Sequence, residues 1–573
     1  MRKPIAASLA VIFAAACTLE APQVPDTPAA ASPARVEAPA QGGIASREER
    51  ARAVLSSEGA GRPPAVRPSP RPLPMPVPPA DRERYPSFDS APVRLVAEAP
   101  VSTFSVDVDT GSYSNVRRML VAGRLPPKDA VRVEEMINYF PYDYPGPDDE
   151  HPFAVHAELV DGLWRPGSWL LRIGIKGADR ARESLPPANL VFLVDVSGSM
   201  RSADKLPLLK SSLKLLAQRL RAEDRISLVT YASGTRLVLD ATPGSEKAKI
   251  VDAIESLQAG GGTAGASGLE LAYRTARQAF VPDGINRILL TTDGDFNVGV
   301  TDFGQLESMV QERRRSGIAL STLGFGTGNY NEHLMERLAD AGDGAYSYID
   351  SLMEAHKVLV NEASSTLETI ARDVKVQVEF NPALVSEYRL IGYENRALAR
   401  EDFNNDRVDA GDIGAGHTVT ALYELTLAGE QGHVDPLRYG AGGTGPGTQP
   451  ARVGEGGATG APRAADEFAF VRLRYKRPGE ARSRLLTRPV TRADRRELAA
   501  ADVDSRFAIA VAGFGQLLRG GQYTGDWDWH AVRELAAGAR GEDRFGYRGE
   551  FLRLVDLAAS LATPGPATAG EEG

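Results

Sequence analysis

From Ala188 to about Leu367 the chain repeatedly switches hydrophobic period. Continuous apolar runs such as "ANLVFLVDVS", "DRISLVTYAS", "NRILLTTDGD" and "IALSTLGFG" alternate with helically spaced stretches. Among the latter are "KLPLLKSSLKLLAQRL", "ASGLELAYRTARQAF" and "FGQLESMVQERRRSG". A strand apolar on both faces needs cover on both, and strands joined through helices run parallel. The pattern therefore predicts an α/β domain with a doubly wound, mainly parallel sheet. "TRLVLDAT" fits an edge strand or hairpin arm, and "AYSYID" a short last strand. In such sheets ligands bind beyond the carboxyl ends of the strands.

Those ends are polar here. Asp195, Ser197 and Ser199 follow the first apolar strand in "FLVDVSGSM". Alternate residues of an extended tip point the same way, so a carboxylate and two hydroxyls can converge. Taken alone, the stretch reads as a helix N-cap turn, since Ser and Asp favour such positions. Two further strand-end stretches change that reading. "QAGGGTAGASGLE" places Thr263 in a glycine-rich loop, and "ILLTTDGD" places Asp293 just past another strand. Two carboxylates and three hydroxyls make a cage of hard oxygens. Mg²⁺ prefers such ligands, and Mn²⁺ and Ca²⁺ accept them too. With few carboxylates bound directly, the metal stays under-neutralised, and a partner's carboxylate could complete its shell. Asp295 and Asn297 in "DGDFNVG" read as loop-shaping residues rather than ligands.

This constellation resembles the von Willebrand factor type A fold and its metal-ion-dependent adhesion site (MIDAS), over roughly 188–367. The resemblance implies that Ser197 and Ser199 coordinate directly. It also implies that Thr263 ligates in the open, ligand-bound form and that Asp195 and Asp293 often act through water. The flanks, "FSVDVDTGSYSNVRRML…VRVEEMINYF" and "DAGDIGAGHTVTALYEL", are similar to segments that bracket this domain in bacterial YfbK-like lipoproteins. That resemblance covers nearly all of 95–560. It implies architecture and location and adds no defined reaction.

The flanks are β-rich. "FAVHAELVDGLWRPGSWLLRIGIKG" alternates as a hairpin, and alternating strands return after 372. The simplest account inserts the α/β domain (188–367) into a β-sandwich built from 95–187 and 368–496. A glycine-rich insert at about 429–466 is expected to be disordered, as is the 563–573 tail. Residues 497–562 have helical spacing and read as a C-terminal helical region. The aromatic run "YTGDWDWH" within it fits packing onto the sandwich better than a recognition surface.

At the N-terminus, Arg2 and Lys3 precede the apolar run "IAASLAVIFAAA" and then Cys17, the only cysteine. A basic start, a short apolar core and small residues describe a secretory signal. "AAAC" resembles a bacterial lipobox, with Ala14 where Leu is commonest, so residues 1–17 are expected to be a lipoprotein signal peptide ending at lipidated Cys17. A plain signal cut near Ala16 is the alternative. Thr18 lacks the charge of an inner-membrane retention signal, which the resemblance takes as pointing to the outer membrane, facing the periplasm or exterior. Pro- and Ala-rich residues 18–94 are expected to form a tether.

The formal charge of −9 argues against a nucleic-acid partner. "GGGTAGASG" lacks the Lys of a phosphate-binding loop, which argues against a nucleotide, and the seven histidines show no zinc-protease spacing. Asp107 and Asp109 lack EF-hand spacing and read as a strand and turn, and "DFNNDRVDAGD" reads as a solvated loop. The expectation is a non-enzymatic cell-envelope lipoprotein that binds a protein ligand offering an Asp or Glu carboxylate, with a lipid anchor in the membrane. Alternatives are an envelope assembly factor in which the metal only stabilises the domain, and, more weakly, a metal-dependent hydrolase.

Overall fold

The computed structural model describes residues 83–262, 265–294, 303–435 and 466–562. The expected signal and lipidation site at Cys17, the tether up to residue 82, Thr263, Asp295 and Asn297, the insert from 436 to 465 and the 563–573 tail lie outside the described residues.

The predicted doubly wound sheet is present. Its strands lie in the order Tyr346–Ile349, Ala319–Phe325, Ile285–Thr292, Ala188–Asp195, Arg225–Tyr231, Thr235–Pro243. All neighbours are parallel except the last pair, where Thr235–Pro243 runs antiparallel along the edge. Alternation along the central strand divides its side chains between two cores. Leu190, Phe192 and Val194 pack with Leu209, Leu213 and Ile254. Val191 and Leu193 face the other way, onto Leu269, Tyr273 and Val310. Cover on both faces is why no residue of this strand is polar until Asp195, apart from Asn189.

The chain on either side of this domain belongs to shared sheets. Strand Ser168–Gly177 pairs antiparallel with Phe153–Asp161 before the domain and with Thr418–Leu427 after it. A second sheet sets Thr369–Phe380 between Val101–Ser105 and Glu467–Lys476, with Arg484–Thr491 beyond. Leu171, Ile173 and Tyr423 of the first sheet meet Val376, Val378 and Val471 of the second in one core. The α/β domain is thus inserted into a β-sandwich, as expected. Leu170 and Leu422, on the first sheet's other face, are covered by a helical layer. Its members are the C-terminal helices Val503–Leu518, Trp529–Gly538 and Tyr547–Ala562, joined by the early helices Gly111–Val121 and Val133–Asn138. The aromatic run serves packing: Trp527 lies edge-on to Trp164 at 6.2 Å and Trp529 to Phe514 at 5.7 Å.

Two features tie the α/β domain to its surroundings. Helix Gly111–Val121 covers the sheet edge at Tyr346–Ile349, approaching so closely that a Cβ on Gly111 would lie 2.2 Å from the Tyr346 ring. From the same helix, buried Arg117 bonds Asp350 at 2.8 Å, Glu354 at 2.7 Å and Glu550 of the last helix at 2.9 Å.

Residues 83–94, expected to belong to the tether, are instead fixed on the fold. Glu83 accepts from Arg118 Nη2 and from the Gly328 amide, each at 3.0 Å, and the Arg84 amide donates to the Tyr330 carbonyl at 3.0 Å. Arg94 and Leu95 then pair with Tyr388 and Glu387. The start of the expected insert is also held, since the His433 and Val434 amides donate to Glu387 at 2.8 and 2.9 Å.

Candidate cation site at the strand tips

Four of the five predicted metal residues fall together beyond the carboxyl ends of two neighbouring strands. Ala188–Asp195 and Ile285–Thr292 are paired in register, Val194 beside Thr291, so Asp195 lies level with Thr292 and Asp293 follows one residue beyond the neighbouring strand. The first tip folds into a short 3₁₀ turn over Gly198–Arg201 before helix Leu206–Arg219 begins. Asp195 is fully buried and holds this turn: its Oδ1 accepts from the Ser197 amide at 2.8 Å, and its Oδ2 accepts from Thr292 Oγ1 at 3.0 Å. Burial pushes the Asp195 carboxyl up to about 6; the bonds from Ser197 and Thr292 oppose this, and the charge of Asp293 adds to it. The two carboxylates therefore feel one another.

The hydroxyls of Ser197 and Ser199 stand 3.0 Å apart. Adjacent ligands in an octahedron of Mg²⁺–oxygen bonds are about 2.9 Å apart, so the pair fits one edge of such a shell. Ser197 is buried and Ser199 exposed, leaving the site open on the Ser199 side. The glycine-rich loop lies against this turn: the Gly198 amide donates to the Gly261 carbonyl at 3.0 Å and the Gly260 amide to the Val196 carbonyl at 2.8 Å. Thr263 follows two residues after Gly261 and is itself outside the described residues. Among the described residues no three His, Cys, Asp or Glu side chains group to hold a metal, so the donors available here are two carboxylates and hydroxyls.

Sequence reasoning missed a fourth loop. Asn329, between strand Ala319–Phe325 and helix Glu332–Ala341, shares the ammonium of Lys205 with Asp293. Lys205 Nζ lies 2.9 Å from Asp293 Oδ2 and 2.9 Å from Asn329 Oδ1. Gly294, with φ +85°, lets this loop close in: a Cβ there would lie 2.4 Å from the Asn331 amide nitrogen. Thr292 was also missed, although a hydroxyl on the last residue of a strand, next to Asp293, was a usable signal.

The other acidic candidates serve the scaffold. Asp107 and Asp109 follow strand Val101–Ser105 on a turn and pair with Arg396 at 3.1 and 3.2 Å. In the 402–412 stretch, Asp406 accepts from the Ser483 amide at 3.3 Å and Asp412 from the Asp373 amide at 3.2 Å.

Comparison with known proteins matches family models along most of the chain. The family model for the von Willebrand factor type A domain matches residues 189–362, and one described as "von Willebrand factor" matches 79–172. The model "Uncharacterized protein YfbK, C-terminal" matches 365–561. A protein of Escherichia coli (strain K12), "Uncharacterized protein YfbK", is 50% identical over 482 residues, which are 83% of this chain and 81% of that protein. Human inter-alpha-trypsin inhibitor heavy chain H2 is 29% identical over 166 residues, 28% of this chain and 17% of that one. Among solved structures, the von Willebrand factor type A protein from Catenulispora acidiphila is 16% identical, covering 71% of this chain and 91% of that one at a TM-score of 0.37.

Proposed function

Because the chain belongs to the YfbK family and carries a von Willebrand factor type A domain at its centre, we propose that it is an envelope lipoprotein that captures an acidic protein ligand. In this reading Ser197, Ser199 and Thr263 hold a divalent cation, Mg²⁺ first, with Asp195 and Asp293 behind them through water. The cation supplies a Lewis-acidic position that a ligand Asp or Glu can fill. The residues of the chain do the rest. Asp195 fixes the first turn, Thr292 orients Asp195, and the paired strands keep the two tips at constant separation. A lipid on Cys17 would hold the molecule at the outer membrane, with the residues before Glu83 as its tether. The role is binding rather than turnover.

The observation that carries the reading is the 3.0 Å hydroxyl pair at the end of a rigid central strand, beside two buried carboxylates. The test is crosslinked capture from envelope extracts with Mg²⁺ or with EDTA, repeated with Asp195→Ala. Capture is expected only for the native chain with Mg²⁺, and equal capture in every condition overturns the reading. A second reading is an envelope assembly factor in which the metal only stabilises the domain. Under it EDTA lowers the melting temperature and leaves capture unchanged.

A further inference from the structure

Lys205 occupies the N-cap position of helix Leu206–Arg219. A cation is disfavoured at that end of a helix, where the macrodipole is positive. Its side chain nevertheless turns into the cage. The side chain is 7% exposed, and its ammonium bonds both Asp293 and Asn329 at 2.9 Å. The slot that receives it is made to measure. Gly326, at φ +76°, lies so close that a Cβ there would sit 2.2 Å from Lys205 Cγ and 2.3 Å from Cε. Asp204, next in sequence, accepts from Thr327 Oγ1 at 3.3 Å, fastening the same two loops together.

We propose that Lys205 is the resident counter-charge of the cation site, setting both its affinity for a divalent ion and its appetite for an acidic ligand. The proposal rests on the cation reading given above. Two carboxylates alone would cancel a divalent ion. With Lys205 among them, the loaded site keeps a net positive charge that an incoming carboxylate neutralises. A divalent ion held by these oxygens would be repelled by the buried ammonium that Asp293 and Asn329 keep, because charges there are poorly screened. The site therefore holds its ion less tightly than its oxygens alone would, and holds it in a more electrophilic state. Asn329 is a positioning residue in this arrangement, since it keeps the ammonium on Asp293.

The test titrates the full chain with Mn²⁺ alone, read by the loss of free-ion electron paramagnetic resonance signal. Lys205→Met is expected to bind Mn²⁺ about tenfold more tightly than the native chain, and Asn329→Ala a few-fold more tightly. The Mn²⁺-loaded native protein is expected to prefer a peptide with a single Glu over its Gln counterpart, and Lys205→Met to lose much of that preference. Melting adds a readout that does not depend on ligand. Lys205→Met leaves Asp293 buried without its ammonium, so its melting temperature is expected to rise more on adding Mn²⁺ than the native chain's does. Should Lys205→Met fail to fold without metal, Asn329→Ala carries the titration. Unchanged or weaker Mn²⁺ binding in these variants, with native binding intact, overturns the role of Lys205. Equal Mn²⁺ uptake by the native chain and Asp195→Ala overturns the cation site itself, and this role with it.

Discussion

Ser197 and Asp293 occupy one cage but differ in what their loss would leave behind. Ser197→Ala removes a hydroxyl whose partner, Ser199, is exposed and can turn to water. Its expected cost in stability is about 1 kcal/mol, and under the proposed cation reading Mg²⁺ affinity falls at least about tenfold, as melting curves and isothermal titration would check. Asp293→Ala strands the Lys205 ammonium in a buried slot, and breaking such a pair costs about 3–5 kcal/mol. The two variants thus separate loss of a ligand from loss of the fold. Asp195, Ser197, Ser199 and Asp293 were legible because each sits at a fixed step from an apolar run. Lys205 was not, since its partner lies 88 positions away and a Lys before a helix is unremarkable in a string of letters. Only its placement against the helix dipole hinted that it answers to something else.

Helix Glu332–Ala341 leads away from the cage and carries an acidic face into the junction with the flanking regions. Glu332 and Glu336 approach Arg132, at 3.9 and 2.7 Å, and Glu135 reaches the same guanidinium at 3.3 Å. Burial pushes the Glu332 carboxyl up to about 8, with Arg132 opposing, and Glu134 up to about 7. An unfolded Glu releases its proton near 4.5, so across that window the folded chain binds more protons than the unfolded one. By linkage, stability falls as pH rises from about 5 to about 8. Melting temperature is therefore expected to drop over this range, and Glu332→Gln, which cannot ionise, to flatten the slope. A pH-independent difference between the two chains would count against this account. The elements themselves were readable from period alone, because two-sided and one-sided burial leave different patterns. The junction was not, because its partners meet from segments as far apart as Asp107 and Arg396, 289 positions apart.

The molecule as a whole joins an inserted domain to its host through more than the two peptide connections. Arg117 fastens the end of the inserted sheet, helix Leu352–His356 and the last helix of the chain to one guanidinium. Calorimetry of the native protein is expected to show a single transition for the α/β domain and sandwich. Arg117→Met should separate it into two, with a loss of about 3–5 kcal/mol at the junction. Two transitions already present in the native chain would refute this. Insertion was foreseeable from β-pattern on both sides of an α/β run. The covered sheet edge was not, since a glycine at position 111 says nothing of the tyrosine it meets 235 residues later. Glu83 and Arg84 reach the loop that carries Asn329. Any pull arriving along the chain from its N-terminal side is met first by Gly328 and Tyr330, and by Arg118 on the neighbouring helix. Tension on that end of the chain would therefore be shared between the loop that carries Asn329 and helix Gly111–Val121, one belonging to the inserted domain and the other to its host.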